Sequence, residues 1–175
     1  MLRGHRFLLP LLFCLSSLPV VSHAGDCRSL VRPLLLQAEP DSAELARVRS
    51  LCSAEAEAGD PEATYQLSFF SLGLGGTWRP EEAIPLIRSA ADDGVTEAQY
   101  WLAWQSEAGP ALPHDNEVAL DWYEKAAAGN HRLALQRLAD AWEHGELGLR
   151  VDARKSLEFR ARIRRCEEQT ALNRN

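Results

Sequence analysis

Histidine and cysteine are scarce in this chain of 175 residues, and neither falls in a ligand pattern. There is no H-E-x-x-H, no C-x-x-C and no Cys/His spacing suited to zinc. The histidines beyond the N-terminal segment, His114, His131 and His144, stand on different predicted elements. No serine occupies a G-x-S-x-G elbow, and no phosphate-binding or dinucleotide-binding glycine fingerprint occurs. Positive charge is in deficit: 19 Lys and Arg against 25 Asp and Glu leave a net charge of −6. No basic patch is left to track a phosphate backbone, which argues against nucleic acid as a partner. The carboxylate pairs Asp92-Asp93 and Glu81-Glu82 sit at helix ends, where solvation and dipole compensation account for them. The expectation is a protein that is not an enzyme and carries no cofactor or metal.

Long apolar runs are also missing, apart from one at the start. Arg3 and Arg6 precede an apolar stretch over 7–21, broken by Pro10 and Pro19, and Ser22-His23-Ala24 supplies a small-x-small cleavage site. The stretch is too short and too interrupted to span roughly 30 Å of hydrocarbon. Residues 1–24 therefore read as a signal peptide cleaved near Ala24, the protein as periplasmic or secreted, and stable membrane insertion as absent. Asp26 before Cys27 speaks against acylation. Removing two arginines makes the mature chain two units more acidic than −6, which favours solubility.

Three cysteines remain in a compartment that permits disulfides. Cys27 and Cys52 flank the first helical segments and are placed to pair, for a gain on the order of 3 kcal/mol. Cys166 lies in the last helix, far from both in a stacked array, and is expected to be unpaired within the chain. Two readings of it stand: a buried thiol, or an intermolecular disulfide joining a homodimer.

What the chain does have is a repeat. Ala63 and Leu67 recur as Ala98 and Leu102 and again as Ala134 and Leu138, each set preceded by a glycine (Gly59, Gly94, Gly129), at a period of about 35 residues. Such a period marks a helical array in which each unit buries its apolar face against its neighbours. Asp60-Pro61-Glu62 is a helix start, with an N-cap carboxylate and a proline where its missing N–H costs nothing. Ala63, Leu67, Phe70 and Leu74 then share one face, and Gly73, Gly75 and Gly76 stop the helix. A second helix from about Pro80 turns Ala83, Leu86, Ile87, Ala90 and Ala91 inward, with Pro85 expected to kink or restart it. The later copies place Ala119, Trp122, Tyr123, Ala126 and Ala127 inward, then Ala153, Leu157 and Ala161. The divisions are 25–58 (an N-terminal capping helix and leading half-repeat), 59–93, 94–129, 130–168 (a third repeat with a C-terminal cap) and a flexible tail over 169–175.

Asp121-Trp122-Tyr123-Glu124-Lys125-Ala126-Ala127-Ala128-Gly129 resembles the end of a Sel1-like repeat, a relative of the tetratricopeptide repeat. The resemblance covers roughly 45–161. It implies an all-α fold, a right-handed α/α solenoid of about three helix-pair repeats plus capping helices. Gly109-Pro110-Ala111-Leu112-Pro113 departs from the family's usual Gly-x-Gly loop, and Leu86 and Ile87 stand where aromatics are usual.

In such repeats the first helix of each pair resembles those that line a concave surface. With Ala63 and Leu67 buried, helical geometry puts Glu62, Tyr65 and Phe69 opposite, then Glu97, Tyr100, Trp104 and Glu107 in the next copy, and Asp140, Glu143 and His144 in the third. Two readings compete: an aromatic stripe bordered by carboxylates that binds a partner, or aromatics that pack between helices. The resemblance implies a module that binds another protein. Versions of it are an immunity protein for a secreted toxic enzyme and an envelope assembly factor. The alternative is a binder or hydrolase of cell-wall-related ligands, peptidoglycan or β-lactam-like.

Overall fold

The structure is a computed structural model that describes residues 26–172. The signal-peptide and cleavage-site expectations lie outside those residues. The described chain is a succession of helices: α1 (Cys27–Leu34), α2 (Ser42–Glu57), α3 (Pro61–Ser68), α4 (Pro80–Asp92), α5 (Thr96–Ala108), α6 (Asn116–Ala128), α7 (Arg132–His144) and α8 (Ala153–Leu172). Each packs on the next, and α1 also packs on α3, the arrangement of a right-handed α/α solenoid. Among the described residues no strand forms, only an isolated bridge between Leu72 and Trp78. No described helix is long and apolar enough to cross a membrane.

Local sequence sets the boundaries. Asp26, Asp41, Asp60 and Asp115 each place a carboxylate on free amides of the helix that follows, and Asp152 does the same for α8. The turns between pairs share one closure: Asp60 N–H donates to Glu55 O, Val95 to Ala90 and His131 to Ala126, at 2.9–3.1 Å. This six-residue closure needs a left-handed residue just before it. Gly59 and Gly94 supply it, with φ of 91° and 93°, but in the third copy Asn130 does, with φ of 63°. Gly129 is instead needed for space, since a Cβ there would lie 2.1 Å from Thr96 Cγ2.

A second clasp closes each helix pair. Arg79 N–H donates to Ser71 O, Asp115 to Ser106 O and Asp152 to Trp142 O, at 2.7–2.8 Å. The atypical loop after α5 keeps this clasp. Buried Gln105 accepts the Ala111 amide at 2.9 Å, and Gly109 lies so close to Gln105 that no side chain fits there.

The interior forms two apolar clusters. The larger runs through the later helices around Ile87, Leu102, Tyr123, Leu135 and Leu138; the smaller joins α1, α2 and α3 around Val31, Leu34, Val48 and Phe70. Cys27 and Cys52 form a disulfide inside the smaller one, with Cα atoms 4.9 Å apart. Cys166 is free and half-buried against the larger.

Three expectations need correction. First, α3 ends at Ser68; successive tight turns, Phe69 N–H to Gln66 O through Ser71 N–H to Ser68 O, carry the chain onward and still bury Phe70 and Leu74. Second, Pro85 does not interrupt α4, which runs unbroken past it with the ring on the exposed side. Third, Leu157 and Ala153 are exposed; Ser156 is buried and Phe159 and Ile163 pack inward instead. The described part of the segment after 168 belongs to α8, and neither glycine nor proline interrupts 153–172.

Candidate interaction surface

The first helices α3, α5 and α7 carry the predicted residues, and the structure separates them into three environments. At one end Tyr65 is buried, only 7% exposed, with its ring edge-on to Phe69 at 5.1 Å between centroids. Tyr65 is therefore packing rather than open surface, and Phe69 is half-buried beside it. Burial pushes the Tyr65 hydroxyl pKa well up, and the charges of Glu97 and Glu62 push it further. Burial likewise raises the Glu62 pKa; Arg28 opposes this, while Glu97 and Asp60 add to it. Arg28 of α1 lies 3.7 Å from Glu62 and 3.6 Å from Glu97, one cation between acids on α3 and α5.

In the middle, Tyr100 is half-buried. Its ring stacks on His131 at 4.4 Å and meets Tyr123 at 5.9 Å. Burial, then the charge of Glu107, raises its pKa. Trp104, one turn further along α5, is 43% exposed, and Leu133 on α7 is 51% exposed. These are the large apolar side chains of α5 and α7 that remain open.

The third environment is ionic. Glu107 accepts from the Tyr123 hydroxyl at 2.7 Å and from Arg137 Nε at 2.9 Å, while Arg137 Nη1 reaches Glu146 at 2.6 Å. Burial alone would raise the Glu107 pKa, but the hydrogen bonds from Arg137 and Tyr123 outweigh it and hold the carboxyl below its ordinary value. Further along, Arg160 of α8 bonds both Asp140, at 3.1 Å, and Glu143. His144 Nδ1 lies 2.9 Å from the Asp140 carbonyl. Asp140 and Glu143 thus face a cation of their own chain rather than continuing the aromatic stripe.

Sequence reasoning missed Arg28, His131, Arg137 and Arg160, which engage these acids and aromatics. Arg28 left a readable signal: it precedes Glu62 by 34 residues and Glu97 by 69, the repeat register carried one unit upstream. Among the described residues no group of His, Cys, Asp and Glu is placed to hold a metal ion.

A family model for the Sel1 repeat matches residues 96–131 and 132–159. A solved Sel1 repeat protein from Oxalobacter formigenes is 25% identical with a TM-score of 0.66, over 81% of this chain and 59% of that one. A protective antigen present in uropathogenic Escherichia coli strains, displaying an SLR fold, is 28% identical with a TM-score of 0.60, over 67% of this chain and 25% of that one. The chain thus spans less than two thirds of the length of either structure. The family match thus identifies two Sel1 repeats over 96–159, and the helix-pair closures continue the same plan upstream of them.

Proposed function

We propose that this protein is an exported, non-enzymatic binding module that holds a partner protein on the face formed by α3, α5 and α7. The observation that carries this is Trp104, a large aromatic left 43% open to solvent in the middle of that face. Tryptophan and tyrosine are favoured anchors in protein interfaces. Tyr100 on α5 and Phe69 just past the end of α3 are half-buried and extend the apolar strip. Glu107, Asp140 and Glu143 already have arginine partners, so the partner is held mainly by apolar anchors, with charge setting its orientation. Within this reading the protein neutralises a secreted toxic enzyme or organises an envelope assembly. A disulfide joining Cys27 to Cys52 supports an exported setting.

The test is capture from a native envelope extract by wild type and by Trp104→Ala, with both shown to melt cooperatively. Retention of one protein by the wild type and its loss in the variant supports the face. Equal retention by both moves the contact elsewhere. No retention by either turns attention to cell-wall ligands.

A further inference from the structure

A cleft lies away from this face. It has a volume of about 610 Å³, between α2 and the segment that follows α3. That volume falls in the range of small-molecule sites, roughly 300–1,000 Å³. One wall is a strip of α2 in which Leu45, Arg49 and Ser53 recur at helical spacing, with Ser50 beside them. The other is the turn bearing Phe70, Leu74, Thr77 and Arg79. This turn is tied shut by the Arg79 amide on Ser71 O, at 2.7 Å, and by the Leu72–Trp78 bridge, so the wall is preformed.

The charges of the cleft run against those of the chain. Acids outnumber bases 25 to 19 overall, yet this lining includes two arginines and no acid. The arginines differ. Arg79 is committed to Glu82 at 2.7 Å, whereas Arg49 makes no ion pair among the described residues. One uncommitted guanidinium matches one monoanion, and its planar fork suits a carboxylate gripped through two oxygens. The Ser50 hydroxyl, next to it, adds a donor. Leu45, Phe70 and Leu74 line the remainder and suit an apolar body.

We propose that this cleft binds a small amphipathic carboxylate, with the carboxylate on Arg49 and Ser50 and the apolar body against Leu45 and Phe70. The site is separate from the α3–α5–α7 face and stands whether or not that face binds a protein.

The probe is N-acetyl-L-phenylalanine, titrated into ¹⁵N-labelled protein and followed by amide shifts. The expected result is a saturable shift at Ser50 and Thr77, weakened about tenfold by Arg49→Gln and by the same margin when the probe is the uncharged amide. Arg88→Gln removes an equal charge from an exposed site on α4 and should leave the titration unchanged. Melting curves of both variants establish that they fold. The proposal is overturned if the amide or inorganic phosphate binds as tightly as the acid, if Arg49→Gln matches wild type, or if no saturable shift maps to the cleft.

Discussion

His131 lies flat on Tyr100, with 4.4 Å between ring centroids and 21° between planes, while its Nδ1 accepts the amide hydrogen of Ala134 at the start of α7. The imidazole thus does two jobs: it caps one helix and packs against the preceding first helix. Only the neutral ring can do the first, because an imidazolium has no acceptor nitrogen and places a cation at the positive end of α7.

Stability should therefore fall on acidification through His131. Burial lowers its pKa from the ordinary 6.5, with Glu97 pulling the other way. The folded state thus binds a proton less readily than the unfolded chain does. The contribution of the neutral cap is complete above about pH 6.5 and is lost as pH drops through the lower folded value. Melting temperatures of wild type and His131→Asn, which caps without titrating, should diverge as the pH is taken from about 7.5 to about 5. Parallel curves would remove His131 from this role.

Glu107 and Arg137 should be energetically coupled. Their side chains are only 19% and 23% exposed, so solvent screens them little. Glu107→Gln leaves Arg137 short of a charge partner and should cost on the order of 2 kcal/mol. A double-mutant cycle with Arg137→Gln should give a coupling of about 1 kcal/mol or more. Because the Glu107 pKa is lowered when folded, this stabilisation is present above about pH 4.5 and fades as pH falls through the folded value. Additive single effects would show the pair to be incidental.

Opening the disulfide should loosen one end of the array before the other. Cys27→Ser/Cys52→Ser removes a link across 25 residues, worth about 3 kcal/mol. The link sits in the smaller apolar cluster, which is separate from the one built around Leu102 and Leu138. Hydrogen exchange in the variant should accelerate in α1 and α2 while α5 and α7 stay protected. Uniform acceleration along the chain would indicate a single cooperative unit.

Gly129→Ala should destabilise through a clash rather than through backbone strain. The backbone there is right-handed, with φ of −77°, but the added methyl would meet Thr96 Cγ2 at 2.1 Å. A loss of about 1–2 kcal/mol is expected in thermal or urea unfolding. Thr96→Ser, which deletes that methyl, should recover most of it. Failure of this rescue would point to the backbone instead.

The helix-pair plan was readable because Ala63, Ala98 and Ala134 mark the same buried spot and glycines punctuate the turns. What stayed hidden acts across the chain. Arg137 meets Glu107 from 30 residues away and Arg160 meets Asp140 from 20, and no local pattern announces either pair. The early end of α3 was masked because Phe70 and Leu74 stay buried through tight turns, which preserve their inward side without a regular helix. Leu157 misled because one apolar residue on the last helix does not identify its packed side; Phe159 and Ile163 do. Within the candidate face, Tyr100 and Trp104 fell on one helix as expected, whereas the burial of Tyr65 depends on how α3 meets its neighbours.

The clasp that closes each helix pair spans a different length every time. Ser71 to Arg79, Ser106 to Asp115 and Trp142 to Asp152 are joined by the same backbone bond across loops that grow by one residue per copy. Because no side chain takes part in that bond, loop length is decoupled from the geometry of the stack. A residue more or less between the clasp points leaves the helix pair closed in the same way, while Leu74 and Gly109 within those loops stay fixed by packing.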